Sequence, residues 1–198
     1  MRYVTLITLV YIAYSCSSSN KRTQLTQSEA LVSDWYGKEI RMVEGLPCRV
    51  LGNDTLVGDM FSKPCKILVY VDSIGCTPCR LQLPEWKALL EEMKPVHDRV
   101  SVLFVFQPQN IEELDMLFLR YGVRTPYFQD EDEKFKKVNS FPGDMSSQVF
   151  LLDKDNRVVL VGRPVGNKKL WKLYREQITS ILDLPKGLWP EEKRDTNQ

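Results

Sequence analysis

Residues 67–86 of this chain read ILVYVDSIGCTPCRLQLPEW. The first five of them, residues 67–71, form an unbroken apolar run rich in β-branched side chains, which is typical of a strand buried on both faces. After a short turn, apolar residues recur mostly at steps of three and four, which predicts an amphipathic helix. The apolar positions of this helix are Leu81, Leu83, Trp86, Leu89, Leu90 and Met93. Cys76 and Cys79 therefore fall between a buried strand and a helix.

The spacing of these two cysteines gives them a chemical role. Three residues apart at the first turn of a helix, Cys76 and Cys79 can form one disulfide with little backbone movement. The unpaired amide groups and the positive dipole end of the helix favour a thiolate there. We expect Cys76 to be the nucleophile, and Cys79, one turn further in, to resolve the mixed disulfide.

Two other uses of the cysteine pair stay open at this point. A static disulfide would stabilise the domain without any turnover. A zinc site would need two further ligands, whereas the sequence has a single histidine, His97, and no second C-x-x-C pair. The sequence therefore favours neither a metal nor a cofactor.

Strand and helix patterns continue on both sides of the motif. Val100–Phe106 reads as a second buried strand and Ile111–Tyr121 as a second amphipathic helix. The remaining predicted elements are a helix at 28–36, short strands between 40 and 57 with turns at 44–45 and 52–53, a strand at 126–128, a helix at 130–138, strands at 149–152 and 158–161 joined by a turn at 153–156, and a helix at 170–182. This order predicts an α/β three-layer sandwich, in which helices flank both faces of a central mixed sheet after a short N-terminal extension.

Length and charge limit the domain organisation and the partners. The 198 residues fit one domain plus an extension. We expect the domain at residues 27–186, with its core at 66–182 and a disordered tail at 187–198. The 27 Lys and Arg residues against 26 Asp and Glu give a net charge of +1. Because neither sign gathers into a long block, the sequence does not favour a nucleic-acid partner.

The first fifteen residues have the pattern of a signal peptide. Arg2 supplies a positive start and residues 4–13 are almost entirely apolar, a run too short to span a bilayer comfortably. Cys16 follows the small Ser15 and resembles the lipidated cysteine of bacterial lipoproteins, although Ala13 and Tyr14 depart from the usual residues before it. The polar residues 16–26 would then be a flexible tether. The alternatives are ordinary secretion or an uncleaved anchor, and each reading puts the folded part outside the cytoplasm.

With these features in place, the chain resembles the thioredoxin superfamily, in particular its membrane-tethered TlpA- and ResA-type members. The resemblance runs from about residue 66 to 182. It is carried by ILVYV before a C-x-x-C motif whose second middle residue is Pro78, by Arg80, by Pro84 where the family kinks its first helix, and by FLLDKDNRVVLVG at 150–162. It implies an oxidoreductase in the bacterial cell envelope, facing the periplasm, that exchanges a disulfide with protein thiols and is recharged by a membrane electron donor.

Several residues depart from the family pattern. Gly75 replaces the large residue often found before the first cysteine. The two usual positions of a buried acid hold Tyr70 and Gln82, so that Asp72 is the candidate for proton transfer. Ser147 stands where the family has a cis-proline, and because a cis peptide before serine costs about 2.5–4 kcal/mol, we expect a trans peptide there. The residues expected to bind or tune are therefore Thr77, Pro78, Ser147 and Asp72. The change at Ser147 favours an altered choice of substrate over lost activity.

Two further cysteines, Cys48 and Cys65, each follow a proline. In an oxidising compartment free thiols are a hazard, so the sequence favours a structural disulfide between them. The alternatives are that each is a small buried hydrophobic residue, or a resolving thiol near the active site.

Two competing functions remain. Peroxide reduction is disfavoured because only part of the peroxidatic pattern is present: Ser73 stands three residues before Cys76, but Val69 occupies the proline position. A lipoprotein module that binds a partner without catalysis is favoured by the missing cis-proline and the missing acids.

Overall fold

In a computed structural model of the chain, the apolar run after Pro64 forms an interior strand of a seven-stranded sheet. This strand, β3 (Cys65–Val71), is buried at all seven positions. It pairs in parallel with β4 (Val100–Phe106) along its whole length, from Cys65 opposite Val100 to Val71 opposite Phe106. On its other side it pairs antiparallel with β6 (Val149–Leu152). The predicted strands at 100–106 and 149–152 are confirmed, and β3 begins two residues earlier than the predicted apolar run.

The remaining strands complete a mixed sheet. They are β1 (Cys48–Val50), β2 (Asn53–Asp54), β5 (Tyr127–Gln129) and β7 (Val158–Val161). The strand order is β2-β1-β5-β4-β3-β6-β7, and β3–β4 and β4–β5 are the parallel pairs. The turn of the first hairpin lies at Leu51 and Gly52, whose φ angles of 48° and 79° are both positive, as a type I′ turn requires. This turn is one residue earlier than predicted.

Among the residues that the structure describes, four helices pack around this sheet. They are α1 (Leu83–Glu92), α2 (Ile111–Tyr121), α3 (Lys134–Asn139) and α4 (Lys168–Leu182), and a 3-10 turn (Lys94–Val96) follows α1. Asn110 caps α2 by accepting hydrogen bonds from two backbone amides of its first turn, and Gly122 ends α2 with a φ of 62°. The prediction of a helix from residue 130 is wrong by four residues. Residues before Lys134 form a turn instead, and Glu133 has a left-handed φ of 56°.

Alternate residues of β3 point to opposite layers. Ile67, Val69 and Val71 belong to the main core together with Trp86 of α1, Phe118 of α2 and Tyr174 of α4. On the opposite face, the ring of Tyr70 stacks on Phe135 of α3 with centroids 6.2 Å apart. Helices therefore cover both faces of the sheet, and the predicted three-layer α/β architecture is confirmed.

The structure describes residues 29–72, 81–107, 110–141, 148–185 and 187–189. The chain divides into two compact units, residues 1–36 and 37–198. In the first unit, residues 29–35 are helical, within the predicted helix. Within the described ranges, no helix combines the length and the apolar character needed to cross a membrane.

The last described residues correct one boundary. The indole Nε1 of Trp189 donates a hydrogen bond to Thr179 Oγ1 at 2.8 Å, and its ring lies edge-on to that of Trp171 at 5.8 Å. Leu188 also packs against the core. The prediction that the tail is disordered from residue 187 is therefore wrong for Leu188 and Trp189, because their apolar side chains add to the layer that contains α4.

Candidate active site

The described flanks of the C-x-x-C motif lie at one edge of the sheet. β3 ends at Val71, opposite the last residue of its parallel partner β4, so the carboxyl ends of both strands meet there. Asp72 follows, and the next described residue is Leu81. The motif residues Cys76, Thr77, Pro78 and Cys79 lie outside the described residues, as do Ser147 and Cys16. The roles expected of these six residues stay predictions.

After the motif, the described chain resumes at Leu81, and the helical conformation is interrupted at Gln82 before α1 begins. Leu81 is helical, whereas Gln82 adopts a left-handed conformation with φ 50° and ψ 46°. α1 then begins at Leu83, with Pro84 in its first turn, where a missing amide hydrogen is tolerated. The break expected near Pro84 is therefore confirmed, and Gln82 serves as the N-cap residue whose carbonyl accepts the first hydrogen bond, from Trp86.

The break is held by a residue that sequence analysis missed. Arg163, in the connection between β7 and α4, donates a hydrogen bond from Nη2 to the carbonyl oxygen of Leu81 at 2.8 Å. The carbonyls at the end of a helical segment lack partners within the helix, and arginine is a suitable donor to them. The two residues are 82 positions apart, so no local sequence pattern pointed to this contact.

The guanidinium of Arg163 is partly buried against apolar side chains. It borders a cavity of about 10 Å³, roughly the room for one water molecule. The other residues around this cavity are Val69, Tyr70, Val71, Leu81, Leu83, Trp86, Phe104, Phe106 and Val149. Burial lowers the pKa of Arg163, and the charge of Glu85 on α1 opposes this shift. Because a guanidinium stays protonated throughout the physiological range, Arg163 brings a positive charge to this edge of the sheet.

At one of the usual acid positions, Tyr70 contacts a carboxylate from another strand. The hydroxyl of the buried Tyr70 donates to Asp130 Oδ2 at 3.3 Å, and Asp130 is buried at the end of β5. Burial raises the pKa of Tyr70, and the Asp130 charge raises it further. Asp130 also accepts from the backbone amides of Phe135 at 2.9 Å and Lys136 at 3.1 Å. Its two oxygens are thereby hydrogen-bonded at the start of α3.

Asp72, the predicted proton carrier, is the residue that directly follows β3. Its side chain is partly exposed, at the edge where β3 and β4 end. Burial is the main reason that the pKa of Tyr70 is raised, and the Asp72 charge adds a smaller contribution, so Asp72 and Tyr70 lie within electrostatic range of each other. The part of Asp72 in proton transfer stays a prediction.

The predicted disulfide between Cys48 and Cys65 is wrong. Both cysteines are buried free thiols. Cys48 begins β1 and Cys65 begins β3, and β5 and β4 lie between these strands. At about 4.8 Å per strand, three spacings separate them by about 14 Å, whereas a disulfide needs Cα atoms within about 7 Å. Burial raises the pKa of Cys48, and raises that of Cys65 to about 12. Each cysteine is instead a small buried hydrophobic residue, which was one of the two alternatives to a disulfide.

Comparisons with known proteins show what this architecture resembles. No family model and no curated protein sequence matches the chain. Among solved structures, a protein of Chlorobium tepidum named for thiol:disulfide interchange, DsbE, superposes with a TM-score of 0.53 at 17% identity, covering 74% of this chain and 97% of its own. The peroxidoxin BcpB of Mycobacterium tuberculosis also gives 0.53, at 16% identity, covering 71% of this chain and 97% of its own. The fold is thioredoxin-like.

A third structure agrees with this assignment. The thioredoxin domain of the thiol-disulfide oxidoreductase BVU-2223 of Bacteroides vulgatus gives a TM-score of 0.50 at 15% identity, covering 70% of this chain and 96% of its own. At such identities the likeness concerns the fold. Because the same thioredoxin-like fold appears in proteins named for disulfide exchange and for peroxide chemistry, the activity has to be argued from the residues of this chain.

Proposed function

We propose that this chain is an extracytoplasmic thiol-disulfide oxidoreductase that uses Cys76 and Cys79. The observation that carries the proposal is the position of the motif's described flanks. Val71 ends the buried interior strand β3 of a thioredoxin-like sheet, and α1 begins at Leu83, three residues after Arg80, the residue that follows the motif. If Cys76 stands at the first turn of the helical segment that ends at Leu81, as the sequence predicts, the unpaired amide groups and the dipole of that segment would favour a thiolate.

The exchange transfers two electrons in two steps. In the reducing direction, the Cys76 thiolate attacks a substrate disulfide, forms a mixed disulfide and releases one substrate thiolate, which takes up a proton. Cys79 then loses its proton and attacks the Cys76 sulfur, which releases the second substrate thiolate and leaves the Cys76–Cys79 disulfide. Reversing both steps oxidises a substrate dithiol. A dithiol electron donor at the membrane would return the protein to its reduced state.

The proposal extends to location and substrate. The motif and hairpin favour the TlpA- and ResA-type subgroup, and the apolar leader followed by Cys16 favours a lipid anchor facing the periplasm. Substrates are protein thiols or disulfides. Ser147, at the position where the family carries a cis-proline, favours a substrate choice different from that of the family.

Insulin reduction with dithiothreitol tests the activity. The parent should accelerate insulin precipitation, and a variant with both Cys76→Ser and Cys79→Ser should not. The double variant Cys48→Ala and Cys65→Ala is the matched control, because it removes two thiols that are buried and free. A parent no faster than the Cys76/Cys79 variant would reject the enzyme and favour the binding module. Peroxide consumption by the parent that outpaces its insulin reduction would favour a peroxidase instead.

A further inference from the structure

The outer edge of β7 is covered by the chain's own residues 37–41, which we call the strap. β7 is the last strand in the order of the sheet, and it pairs with β6 on its inner side. The strap runs antiparallel to β7 on the outer side. There, Gly37 donates its amide to the Val158 carbonyl at 2.8 Å, and the Val158 amide donates to the Lys38 carbonyl at 3.0 Å. Both backbone groups of Val158 are therefore engaged by the strap.

The far end of the strap is held by two further residues. Ile40 donates its amide to the Asn156 carbonyl at 2.9 Å, and its side chain is buried. The buried Asn139 of α3 contacts both backbone groups of Arg41: its Oδ1 accepts from the Arg41 amide at 2.8 Å, and its Nδ2 donates to the Arg41 carbonyl at 3.0 Å. A neighbouring strand would satisfy these two groups in the same way. The strap is thus fixed between β7 and α3.

The composition of β7 explains why its edge needs a cover. Residues 158–161 read VVLV and contain neither a charge nor a proline. A strand edge presents amide and carbonyl groups that pair readily with another chain, and proteins block such edges with charges, with proline or with a covering segment. Since β7 has none of the first two, the strap supplies the block. An uncovered β7 fits a second β7 in antiparallel pairing about a twofold axis, because the same groups then face each other in both copies.

We propose that the edge of β7 is a self-association surface for a second copy of this chain, and that the strap keeps it closed. While the strap is in place, the backbone groups of Val158 are not available to a partner. Once the strap is displaced, the β7 edges of two copies pair and their sheets become continuous. The strap and the second copy compete for the same backbone groups. This proposal concerns assembly, and it does not rest on the proposed redox activity.

Sedimentation velocity of the full-length chain in detergent, over a series of protein concentrations, tests the proposal. Ile40→Pro removes the amide that donates to Asn156 and should displace the strap. Ile40→Ala is the matched control, because it also shortens the side chain but keeps the amide. The parent and Ile40→Ala should stay monomeric. Ile40→Pro should dimerise with an association constant about ten-fold higher or more, because the paired edges gain backbone hydrogen bonds.

Two measurements show whether β7 is the surface that associates. Val161 is partly exposed on β7, and adding Val161→Lys to Ile40→Pro should restore the monomer, because lysine on an edge strand opposes pairing. A dimer that persists in this double variant would overturn the proposal, since another surface would then be responsible. Hydrogen exchange of the Val158 amide reports whether the strap has left. A monomeric Ile40→Pro in which this amide exchanges about ten-fold faster than in the parent would also overturn it, because the edge is then open and unpaired.

Asn139→Leu decides if Ile40→Pro does not fold or if its Val158 amide stays as protected as in the parent. Leucine fills a similar buried volume but offers Arg41 no hydrogen bond. The variant should show faster exchange of the Val158 amide in dilute solution and dimers at higher concentration. Parent-like exchange in this variant would show that the strap is not what covers the edge, and that result would reject the proposal.

Discussion

Burial makes the thiols of Cys48 and Cys65 unreactive, in contrast to exposed thiols. Cys65 has no exposed surface, and burial raises its pKa to about 12, so it is protonated at any physiological pH. Thiol chemistry depends on the thiolate, and a group held in this way neither attacks disulfides nor binds metals readily. Reactivity in this chain is therefore expected from cysteines with lowered pKa values, of which Cys76 is the predicted example.

The raised pKa of Cys65 predicts how stability depends on pH. Its folded pKa of about 12 lies above the ordinary value of 9.0, so alkaline pH ionises the thiol in the unfolded chain first. The stabilisation from the protonated buried thiol is complete below about pH 9 and is lost as the pH rises toward 12. At pH 10 the loss should be about 1 kcal/mol. Urea unfolding of the parent and of Cys65→Ala measures this loss, since the free energy of unfolding of the alanine variant contains no contribution from the thiol.

Comparing the parent with Cys65→Ala also cancels the effect of the other groups that titrate at alkaline pH, because both proteins contain them. The difference in unfolding free energy between parent and Cys65→Ala should shrink between pH 8 and pH 10. A difference that stays constant over this range would show that the Cys65 thiol ionises equally in both states.

The two motif cysteines should differ in a trapping experiment. Cys79→Ser leaves the predicted nucleophile without its resolving partner, so it should accumulate mixed disulfides with partner proteins. Cys76→Ser should trap almost none, because the expected attacking thiolate is gone. Non-reducing gel electrophoresis of both variants from the same cells gives the comparison. Alkylation should place the Cys76 pKa below about 8.5. Equal trapping by the two variants would favour a static disulfide or a binding module.

Among the elements, the short helix α3 is anchored at its start by the side chain of Asp130. It has six residues, too few for a stable isolated helix, and Asp130 accepts from two backbone amides in its first turn. The same carboxylate accepts a hydrogen bond from the Tyr70 hydroxyl of β3. Asp130 therefore joins α3 to β3, in a layer that also contains the Tyr70 and Phe135 rings and two hydrogen bonds between Asn139 of α3 and the backbone of Arg41.

Asp130→Ala should lower the free energy of unfolding by about 2–3 kcal/mol. The reason is that it leaves a buried amide, a partly buried amide and a buried hydroxyl without their charged acceptor. The matched control is Asp132→Ala, an exposed residue whose partner is Lys134, and it should cost less than about 0.5 kcal/mol. Urea midpoints at constant m-value give both numbers. Equal costs for the two variants would show that Asp130 does not anchor α3.

For the whole molecule, the proposed anchor would confine a one-domain oxidoreductase to a membrane surface. The tether of residues 16–26 would give such a domain a reach of about 15–20 Å as a flexible chain. Confinement raises the effective concentration of partners in the same membrane, including a membrane electron donor. The lipid on Cys16 would then set which proteins the domain meets.

Cys16→Ala tests the anchor. The parent should partition into the detergent phase after processing, whereas the variant should be released or should stall as a precursor, because alanine accepts no lipid. Detergent phase separation followed by immunoblotting measures both species. Ser17→Ala is the neighbouring control and should partition as the parent does. A Cys16→Ala variant processed and partitioned like the parent would contradict lipidation.

The sequence by itself determined the elements that have strong local patterns. The strands at 100–106, 149–152 and 158–161 and the helix at 111–121 match their predicted bounds. Residues 65–71 and α1 also follow from apolar periodicity, since a buried strand and an amphipathic helix need different spacings of apolar side chains. The irregularity near Pro84 was expected from the resemblance alone, since the family kinks its first helix at that position. These elements, in their order, were sufficient for the three-layer fold.

Only the tertiary structure decided which distant residues meet. Cys48 and Cys65 are kept apart by two intervening strands, and strand order is not encoded in the residues around either cysteine. Asp130 meets Tyr70 across 60 residues, and Arg163 meets Leu81 across 82. Such contacts depend on how whole elements pack, because a single polar side chain has no periodic signal of its own. The pairing of elements in three dimensions therefore decided which charged and hydroxyl groups meet at the described end of β3, whereas local sequence decided where the motif stands in the chain.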